Sequence, residues 1–242
     1  MKVIVIIPAA GIGTRMTSGP VFKGKKPAAT KQFTELGGVP ILIRTLRQFV
    51  SSPAVAEIHV ALRANEIEGF RARLKNEAKD IQQKNIRLVE GGDHRQHSVA
   101  NALNSISAAD DDIVLVHDAV RPFVTEEIIN EVIRAAQKYG AAIAALPAVD
   151  TVKQVERTAD GALITATLPR ERVVLAQTPQ GFRYDVLKKA FDEAAADGFV
   201  GTDEASLIER SGHAVAVVMG SPRNIKITAP GDLELAEFYL KK

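Results

Sequence analysis

Small residues and glycines follow the first apolar run of the chain, in the segment PAAGIGTRM at positions 8–16. At the C-terminal end of a strand, such residues let backbone N–H groups approach a phosphate closely. Met16 stands where a dinucleotide-binding fingerprint has its third glycine, and the Gly-Lys-Ser/Thr ending of a P-loop is missing. Arg15 adds a fixed positive charge. The segment predicts a phosphate-binding loop of another type, with an ordinary strand-to-helix turn as the alternative.

Lysines are concentrated in the stretch that follows. Residues 17–30 hold three lysines, two glycines and two prolines without helical or strand periodicity, which predicts a long mobile loop. The loop ends at Lys31-Gln32-Phe33. A lysine ammonium is a compact charge suited to the negative charge that develops on a phosphoryl group. Taken alone, this segment also fits a solvated basic loop.

One carboxylate, Asp118, ends a buried apolar run in the segment VHDAVRP at 116–122. In an open α/β sheet that position lies at the ligand-binding edge, where a carboxylate can hold a divalent cation or a ribose hydroxyl. Arg121 could pair with Asp118 or bind a substrate phosphate. In the segment GGDHRQHSV at 91–99, backbone groups could read a base edge, and a glycine-rich turn capped by Asp93 is the alternative.

Short β-branched apolar runs alternate with helical patterns along the chain. Strands are predicted at 3–8, 57–62, 86–90, 112–117, 141–146, 173–177 and 214–219. Helices are predicted at 40–51, 66–83, 95–107, 125–138, 184–196, 203–211 and 230–240. The strand candidates are continuously apolar, which favours parallel strands buried on both faces. This pattern predicts a doubly wound, mostly parallel, Rossmann-like α/β sheet.

Residues 149–172 break that rhythm. They alternate in the manner of a half-buried strand, and Asp160-Gly161 is a hairpin signal. We interpret them as a β-arm inserted into a single domain that spans residues 1–242. The arm is too small to bury its own apolar face, so we expect it to pair with a second copy of the chain.

Composition excludes several classes of protein. The chain has 242 residues, of which 46% are hydrophobic and 25% charged, enough for one large core without disulfides. A net charge of +2 argues against a dedicated nucleic-acid binder. Cysteine is absent, and the five histidines lack metal-ligand spacing. No apolar run has the length of a membrane span, and the first residues do not look like a targeting leader, so we expect a cytoplasmic protein.

These segments occur together, in order, in one family. From Val3 to about Leu240 the chain resembles the 2-C-methyl-D-erythritol 4-phosphate cytidylyltransferases. The family motifs are matched by Ala9 to Met16, Lys31 to Phe33, Gly91 to Val99, Val116 to Pro122, Asp150-Thr151, Arg170, Thr178 to Gln180, Thr202 to Ser206 and Asn224 to Thr228. The resemblance implies a nucleotidyltransferase that joins CTP to a sugar-alcohol phosphate with the help of Mg²⁺ and releases pyrophosphate.

The resemblance also implies a role for each matched residue. The catalytic cations would be Arg15, Lys31 and Lys226. The nucleotide would be bound by Ala9, Ala10, Gly11, Gly92, Asp93, Ser98 and Asp118. Asp118 would lie near the ribose and the Mg²⁺, which the triphosphate mainly holds. The sugar-alcohol phosphate would be bound by Arg121, Thr151, Arg170, Thr178 and Lys226, with Arg170 supplied by the arm of the partner in a homodimer.

Some alternatives stay open at this point. The family usually has a shorter loop before its Lys-Gln motif, so Lys26 competes with Lys31 for the catalytic role. Ribitol 5-phosphate cytidylyltransferases share the chemistry on a longer polyol. A nicotinamide dehydrogenase is disfavoured by the missing third glycine and by the absence of an acidic residue after the second strand. A non-catalytic nucleotide-binding module would leave the cluster of Arg15, Lys31 and Lys226 unexplained.

Overall fold

The computed structural model describes residues 1–11, 31–78, 81 and 85–241. Its strands are β1 Val3–Pro8, β2 Glu35–Leu36, β3 Val39–Pro40, β4 Glu57–Leu62, β5 Asn85–Glu90, β6 Ile113–Val116, β7 Ala141–Pro147, β8 Val152–Thr158, β9 Gly161–Leu168, β10 Val174–Arg183 and β11 Ala216–Met219. Its helices are α1 Ile41–Val50, α2 Ala64–Glu77, α3 Arg95–Asn104, α4 Glu126–Tyr139, α5 Tyr184–Ala196, α6 Glu204–Arg210 and α7 Pro230–Leu240. The predicted loop at 17–30 lies outside the described residues.

Seven strands form the central sheet, in the order β11-β7-β10-β6-β1-β4-β5. Neighbouring strands are parallel except at β10, which runs antiparallel to both β6 and β7. The prediction of a mostly parallel α/β sheet is confirmed. The apolar run predicted as a strand at 173–177 is only the first half of β10. The arm, and not a crossover helix, connects β7 to β10, so the chain returns in the opposite direction.

Apolar side chains cover both faces of the sheet. In β1, Val5 and Ile7 belong to one core, while Ile4 and Ile6 belong to the other. The first core includes residues of α1, α2 and α4, and the second includes residues of α3, α5 and α6. Helix α4 agrees with its predicted range to within one residue at each end. The Thr125 side chain accepts a hydrogen bond from the backbone of Ile128 at its start, and Gly140 in the left-handed conformation ends it. A sheet with helices packed on both faces is the doubly wound architecture that the sequence predicts.

Strands β8 and β9 form a separate antiparallel hairpin between β7 and β10. This hairpin, with the residues that join it to the sheet, is the β-arm predicted at 149–172. Val155, Leu163 and Ile164 are exposed on it, with 49 to 66% of their surface accessible. The small β2–β3 hairpin was not predicted, since two-residue strands carry no periodic signal. None of the helices in the described ranges combines the length and apolar character needed to cross a membrane.

Candidate active site

A cleft opens at the carboxyl-terminal edge of the sheet, beside the end of β1. Most of the residues predicted for nucleotide binding and catalysis line it: Ala9, Ala10, Gly11, Lys31, Gly92, Asp93, Ser98, Asp118 and Lys226. They come from separate stretches of sequence, so the fold brings them together. We call this the first cleft. Arg15, the remaining predicted catalytic residue, lies outside the described part of the chain.

A second cleft adjoins the first. Arg121 and Thr178, both predicted to bind substrate, line it together with residues of β10 and of the loop before α6. Arg95, Asp118 and Lys226 line both clefts. These three side chains therefore form the wall between two neighbouring spaces, each large enough to hold part of a ligand.

Ala9 and Ala10, the first two residues after β1, are fixed through their carbonyl groups. Gln32 is buried and donates from Nε2 to the Ala9 carbonyl at 2.7 Å, which docks the one-turn helix that starts at Lys31. Arg63 donates from Nε to the Ala10 carbonyl at 2.9 Å. These two side chains hold Ala9 and Ala10 beside the cleft, and the Gln32 bond fixes where the neighbouring Lys31 enters it. Neither received a role in the sequence analysis, although Gln32 belongs to the matched Lys-Gln-Phe motif.

Close packing explains why glycine occupies both positions after β5, Gly91 and Gly92. A Cβ on Gly91 would lie 2.6 Å from Cβ of Ala10, and one on Gly92 would lie 2.4 Å from Cβ of His97. Both glycines therefore permit a close approach of the backbone to its neighbours at the cleft. Ser98 is buried and accepts a hydrogen bond from the Gly92 N–H at 3.1 Å. Asp93 is exposed, and α3 has no side-chain cap, so the alternative of a capping Asp93 is wrong.

Asp118 is the electrostatic centre of the wall between the clefts. Its Oδ1 accepts from Arg95 Nε at 3.3 Å, and its Oδ2 lies 3.2 Å from Arg121 Nε and 2.9 Å from Lys226 Nζ. Burial alone would raise the pKa of the Asp118 carboxyl, but these three cations outweigh it and hold that pKa well below its usual range. Asp118 is thus ionised throughout the physiological range and gathers positive charge around it.

The same contacts make Asp118 a poor ligand for a resident metal ion. A divalent cation would have to displace positive side chains from both carboxylate oxygens. Within residues 1–11, 31–78, 81 and 85–241, no group of three or more His, Asp or Glu side chains could hold a metal ion. The described residues therefore do not fit a dedicated metal site.

Thr178 and His117 hold the backbone of Asp118. The Thr178 hydroxyl oxygen accepts from the Asp118 N–H at 3.0 Å and lies 3.1 Å from His117 Nδ1. His117 Nε2 lies 3.0 Å from the Arg121 carbonyl, which can only accept. Burial lowers the pKa of His117 to about 4, so the ring is neutral at pH 7. A neutral ring that donates from Nε2 must accept at Nδ1, so the Thr178 hydroxyl proton points to His117.

Two predicted substrate residues lie in the arm instead. Thr151 and Arg170 are exposed, and Arg170 donates from Nη1 to the Val149 carbonyl at 2.7 Å. Neither residue is among the described residues that line the first or the second cleft. Within one chain, the structure does not bring them to the site.

Two charged residues of the site were missed. Arg95 forms part of the wall between the clefts, and its guanidinium forms an ion pair with Glu204. Both lie inside segments that match the family motifs, but nothing in their spacing indicates that residues 109 positions apart form an ion pair. Asn224 was also given no role, although it is fully buried and donates to the Thr178 carbonyl at 2.8 Å. That bond anchors the segment that carries Lys226.

Comparisons with known proteins show the family of the chain. The profile of the IspD family, 2-C-methyl-D-erythritol 4-phosphate cytidylyltransferase, matches residues 3–242. A protein of that name from Acidobacterium capsulatum is 58% identical over 242 residues, which are 100% of this chain and 98% of the relative. The crystal structure of the protein of that name from Thermus thermophilus is 34% identical with a TM-score of 0.75, and the match covers 100% of both chains. The one from Francisella tularensis is 37% identical with a TM-score of 0.79, over 98% of this chain and 99% of the other. With the family profile matched over residues 3–242 and relatives of that name matched over its full length, the chain belongs to the 2-C-methyl-D-erythritol 4-phosphate cytidylyltransferase family of nucleotidyltransferases.

Proposed function

We propose that this chain, as a single nucleotidyltransferase domain, converts CTP and 2-C-methyl-D-erythritol 4-phosphate to 4-diphosphocytidyl-2-C-methyl-D-erythritol and pyrophosphate. The observation that carries the proposal is the shared wall of the two clefts, formed by Arg95, Asp118 and Lys226. A nucleotide in the first cleft and a phosphate in the second would meet at that wall. The family membership of the chain supplies the identity of the two substrates.

In this proposal the cytidine lies along the backbone of Ala9, Ala10 and Gly11 on one side and of Gly92 and Asp93 on the other. The two loops lie close together where Gly91 packs against Ala10, and backbone groups at fixed positions there would favour a pyrimidine edge over a purine. Ser98 keeps Gly92 in place. Asp118 faces the ribose, and Lys31 with Arg15 holds the triphosphate.

The sugar-alcohol phosphate would lie in the second cleft, against Arg121 and Lys226. Both side chains already share Oδ2 of Asp118, so an incoming phosphate meets cations whose positions are set in advance. Since the Thr178 proton points to His117, we propose that Thr178 acts by positioning Asp118 and not by donating to the phosphate.

The chemistry is an in-line displacement at the α-phosphorus of CTP. A phosphate oxygen of the second substrate forms the new bond to that phosphorus, and the bond to the bridging oxygen of the β-phosphate breaks, so that pyrophosphate leaves. The attacking oxygen is ionised at neutral pH, so no general base is required. Positioning of the two anions and neutralisation of the growing charge by Lys31 and Lys226 would supply most of the rate.

A divalent cation, Mg²⁺, belongs to the nucleotide in this proposal. It would neutralise part of the triphosphate charge, and the poor fit of Asp118 as a metal ligand supports its arrival as a complex with CTP.

The arm would complete the substrate site of a second copy. Thr151 and Arg170 are exposed in one chain and line neither cleft among the described residues, and the arm presents uncovered apolar side chains. A homodimer related by a two-fold axis would cover those side chains and carry Arg170 to the phosphate in the partner's second cleft.

The test is pyrophosphate release from purified protein with CTP, Mg²⁺ and 2-C-methyl-D-erythritol 4-phosphate. We expect release only when both substrates are present, and its loss in excess EDTA. Ribitol 5-phosphate in place of the methylerythritol phosphate should be turned over at least tenfold more slowly. Equal or faster turnover of ribitol 5-phosphate would assign the chain to the alternative substrate, and CTP binding without any release would indicate a non-catalytic module.

A further inference from the structure

Glu204 is a buried carboxylate that the proposed reaction does not use. Its side chain is 2% exposed, and both of its oxygens accept from Arg95 Nη1, at 2.7 and 2.8 Å. Arg95 also donates from Nε to Oδ1 of Asp118 at 3.3 Å. Glu204 therefore reaches the wall between the clefts through one guanidinium group, without lining either cleft among the described residues.

The position of Glu204 is fixed from β10. Gln180 accepts at Oε1 from the Ala205 N–H at 3.1 Å and donates from Nε2 to Asp203 Oδ2 at 2.7 Å. Asp203 also caps α6 by accepting from the Ser206 N–H. The first turn of α6 is thus attached to the strand beside Asp118, which fixes the backbone of Glu204, its first residue, relative to that strand.

The charges around the Arg95–Glu204 ion pair favour a positioning role over a stabilising one. Burial raises the pKa of Glu204, and the attraction of Arg95 opposes that rise. A buried ion pair is weak evidence for a stabilising role, because removing two charges from water costs about as much as their attraction returns. At Asp118 the three cations are divided, with Arg95 at Oδ1 and both substrate-side cations at Oδ2. Without Glu204, only the 3.3 Å contact with Asp118 itself would hold Arg95 at Oδ1.

We propose that Glu204 is a positioning residue for the reaction. It holds Arg95 on Oδ1 of Asp118, which leaves Oδ2 to orient Arg121 and Lys226 toward the incoming phosphate. This inference rests on the proposed function and adds to it a residue that lines neither cleft in the described part of the chain.

The first experiment replaces Glu204 by glutamine, which keeps the shape and removes the charge. At saturating CTP and substrate, we expect kcat of Glu204→Gln to fall at least tenfold, because small misplacements of charged groups around reacting atoms are costly. The control is Glu209→Gln on the same helix, an exposed residue that should keep wild-type kcat within about twofold. Equal kcat for folded Glu204→Gln and wild type would overturn the proposal.

A double-mutant cycle with Arg95→Gln separates positioning from simple stabilisation. If Glu204 acts only through Arg95, adding Glu204→Gln to Arg95→Gln should leave kcat/KM within about twofold. The same addition should raise the thermal midpoint, because Arg95→Gln alone leaves Glu204 buried and unpaired. This comparison remains available if Glu204→Gln alone does not fold.

The outcomes are distinct. A further loss of kcat/KM of more than about twofold in the double variant, relative to Arg95→Gln alone, would show that Glu204 acts independently of Arg95 and would refute the proposal. Wild-type protein that releases no pyrophosphate from either sugar-alcohol phosphate would contradict the proposed function, and the positioning role with it.

Discussion

The side chains at the wall and the side chains of the β-arm differ in how far they are buried. At the wall and directly behind it, Asp118, Thr178 and Glu204 are buried, and they form hydrogen bonds with other residues of the same chain. In the arm, Leu163 and Ile164 expose 66% and 64% of their surface. The contacts of the wall are complete within a single chain, whereas the arm leaves apolar surface uncovered. The comparison separates the groups that a lone chain positions from those that need a partner.

The physical reason is the size of each region. The wall lies on a sheet of seven strands with a core on each face, which can fix buried charges in place. The arm is a two-stranded ribbon, and such a ribbon alone has too little apolar contact to be stable in water. We therefore expect substitutions at the wall to act within one chain and substitutions in the arm to act across two.

Removing the Lys31 ammonium should have the largest effect. We expect Lys31→Ala to lower kcat by about 10²–10³-fold, because a fixed cation that stabilises transition-state charge is worth that much. The thermal midpoint should change little, since Lys31 sits on a one-turn helix that Gln32 and not Lys31 anchors to the Ala9 carbonyl. Steady-state kinetics and a thermal unfolding curve check both statements.

Lys26→Ala is the matched variant for that measurement. It removes the same charge from the loop before the Lys-Gln-Phe motif. Near-normal kcat in Lys26→Ala and a large loss in Lys31→Ala would support the assignment. The reverse result would move the catalytic role to Lys26 and show that the longer loop of this chain shifts the motif.

A second prediction concerns His117, which contacts the Thr178 hydroxyl that holds the Asp118 backbone. Its pKa is about 4 in the folded protein, against 6.5 for an ordinary histidine, because burial disfavours the charged ring. The unfolded chain therefore binds more protons than the folded one between these values, so stability falls as the pH drops from 6.5 to 4. The shift corresponds to roughly 3 kcal/mol of unfolding free energy lost across that window.

Urea unfolding at pH 7, 6, 5 and 4 measures this effect. His117→Asn removes the titrating ring, so its unfolding free energy should decline less steeply with falling pH than that of the wild type. His213→Gln removes an exposed histidine and should keep the wild-type slope. Parallel slopes for His117→Asn and the wild type would mean that the ring is not held neutral, and the direction given above for the Thr178 proton would be wrong.

Most of the fold could be predicted from the sequence because its signals are local. Strands such as β1 are continuous apolar runs, and the ends of α4 carry their own cap and glycine. The second half of β10 could not be predicted in this way. Its residues from Thr178 to Arg183 include proline, glycine and polar side chains, and the segment is a strand because β6 and β7 flank it. Pairing between distant strands leaves no local signal.

The residues of the site also fall into those that local sequence signals predict and those that depend on distant contacts. Ala9, Gly92 and Asp118 could be placed at the cleft because each follows a predictable strand. The pair of Arg95 and Glu204 could not, because it forms between α3 and α6, and the approach of two helices is set by packing in the core that both share. The position of Arg170 relative to the clefts depends on a second chain, which one sequence does not describe.

The last prediction tests whether the two regions belong to one active site made from two chains. Arg170→Ala and Lys31→Ala homodimers should each be nearly inactive. If Arg170 serves the partner's cleft, a heterodimer of the two variants has one site that combines an intact Lys31 with an intact Arg170 donated across the interface. Subunits mixed under dissociating conditions and allowed to reassociate at random should recover about a quarter of wild-type activity, since half the dimers are mixed and each has one working site. The control is each variant carried alone through the same cycle, which should recover nothing. Verified heterodimers without recovered activity would mean that Arg170 acts within its own chain, and the arm would then have to fold back toward the second cleft of the chain that carries it.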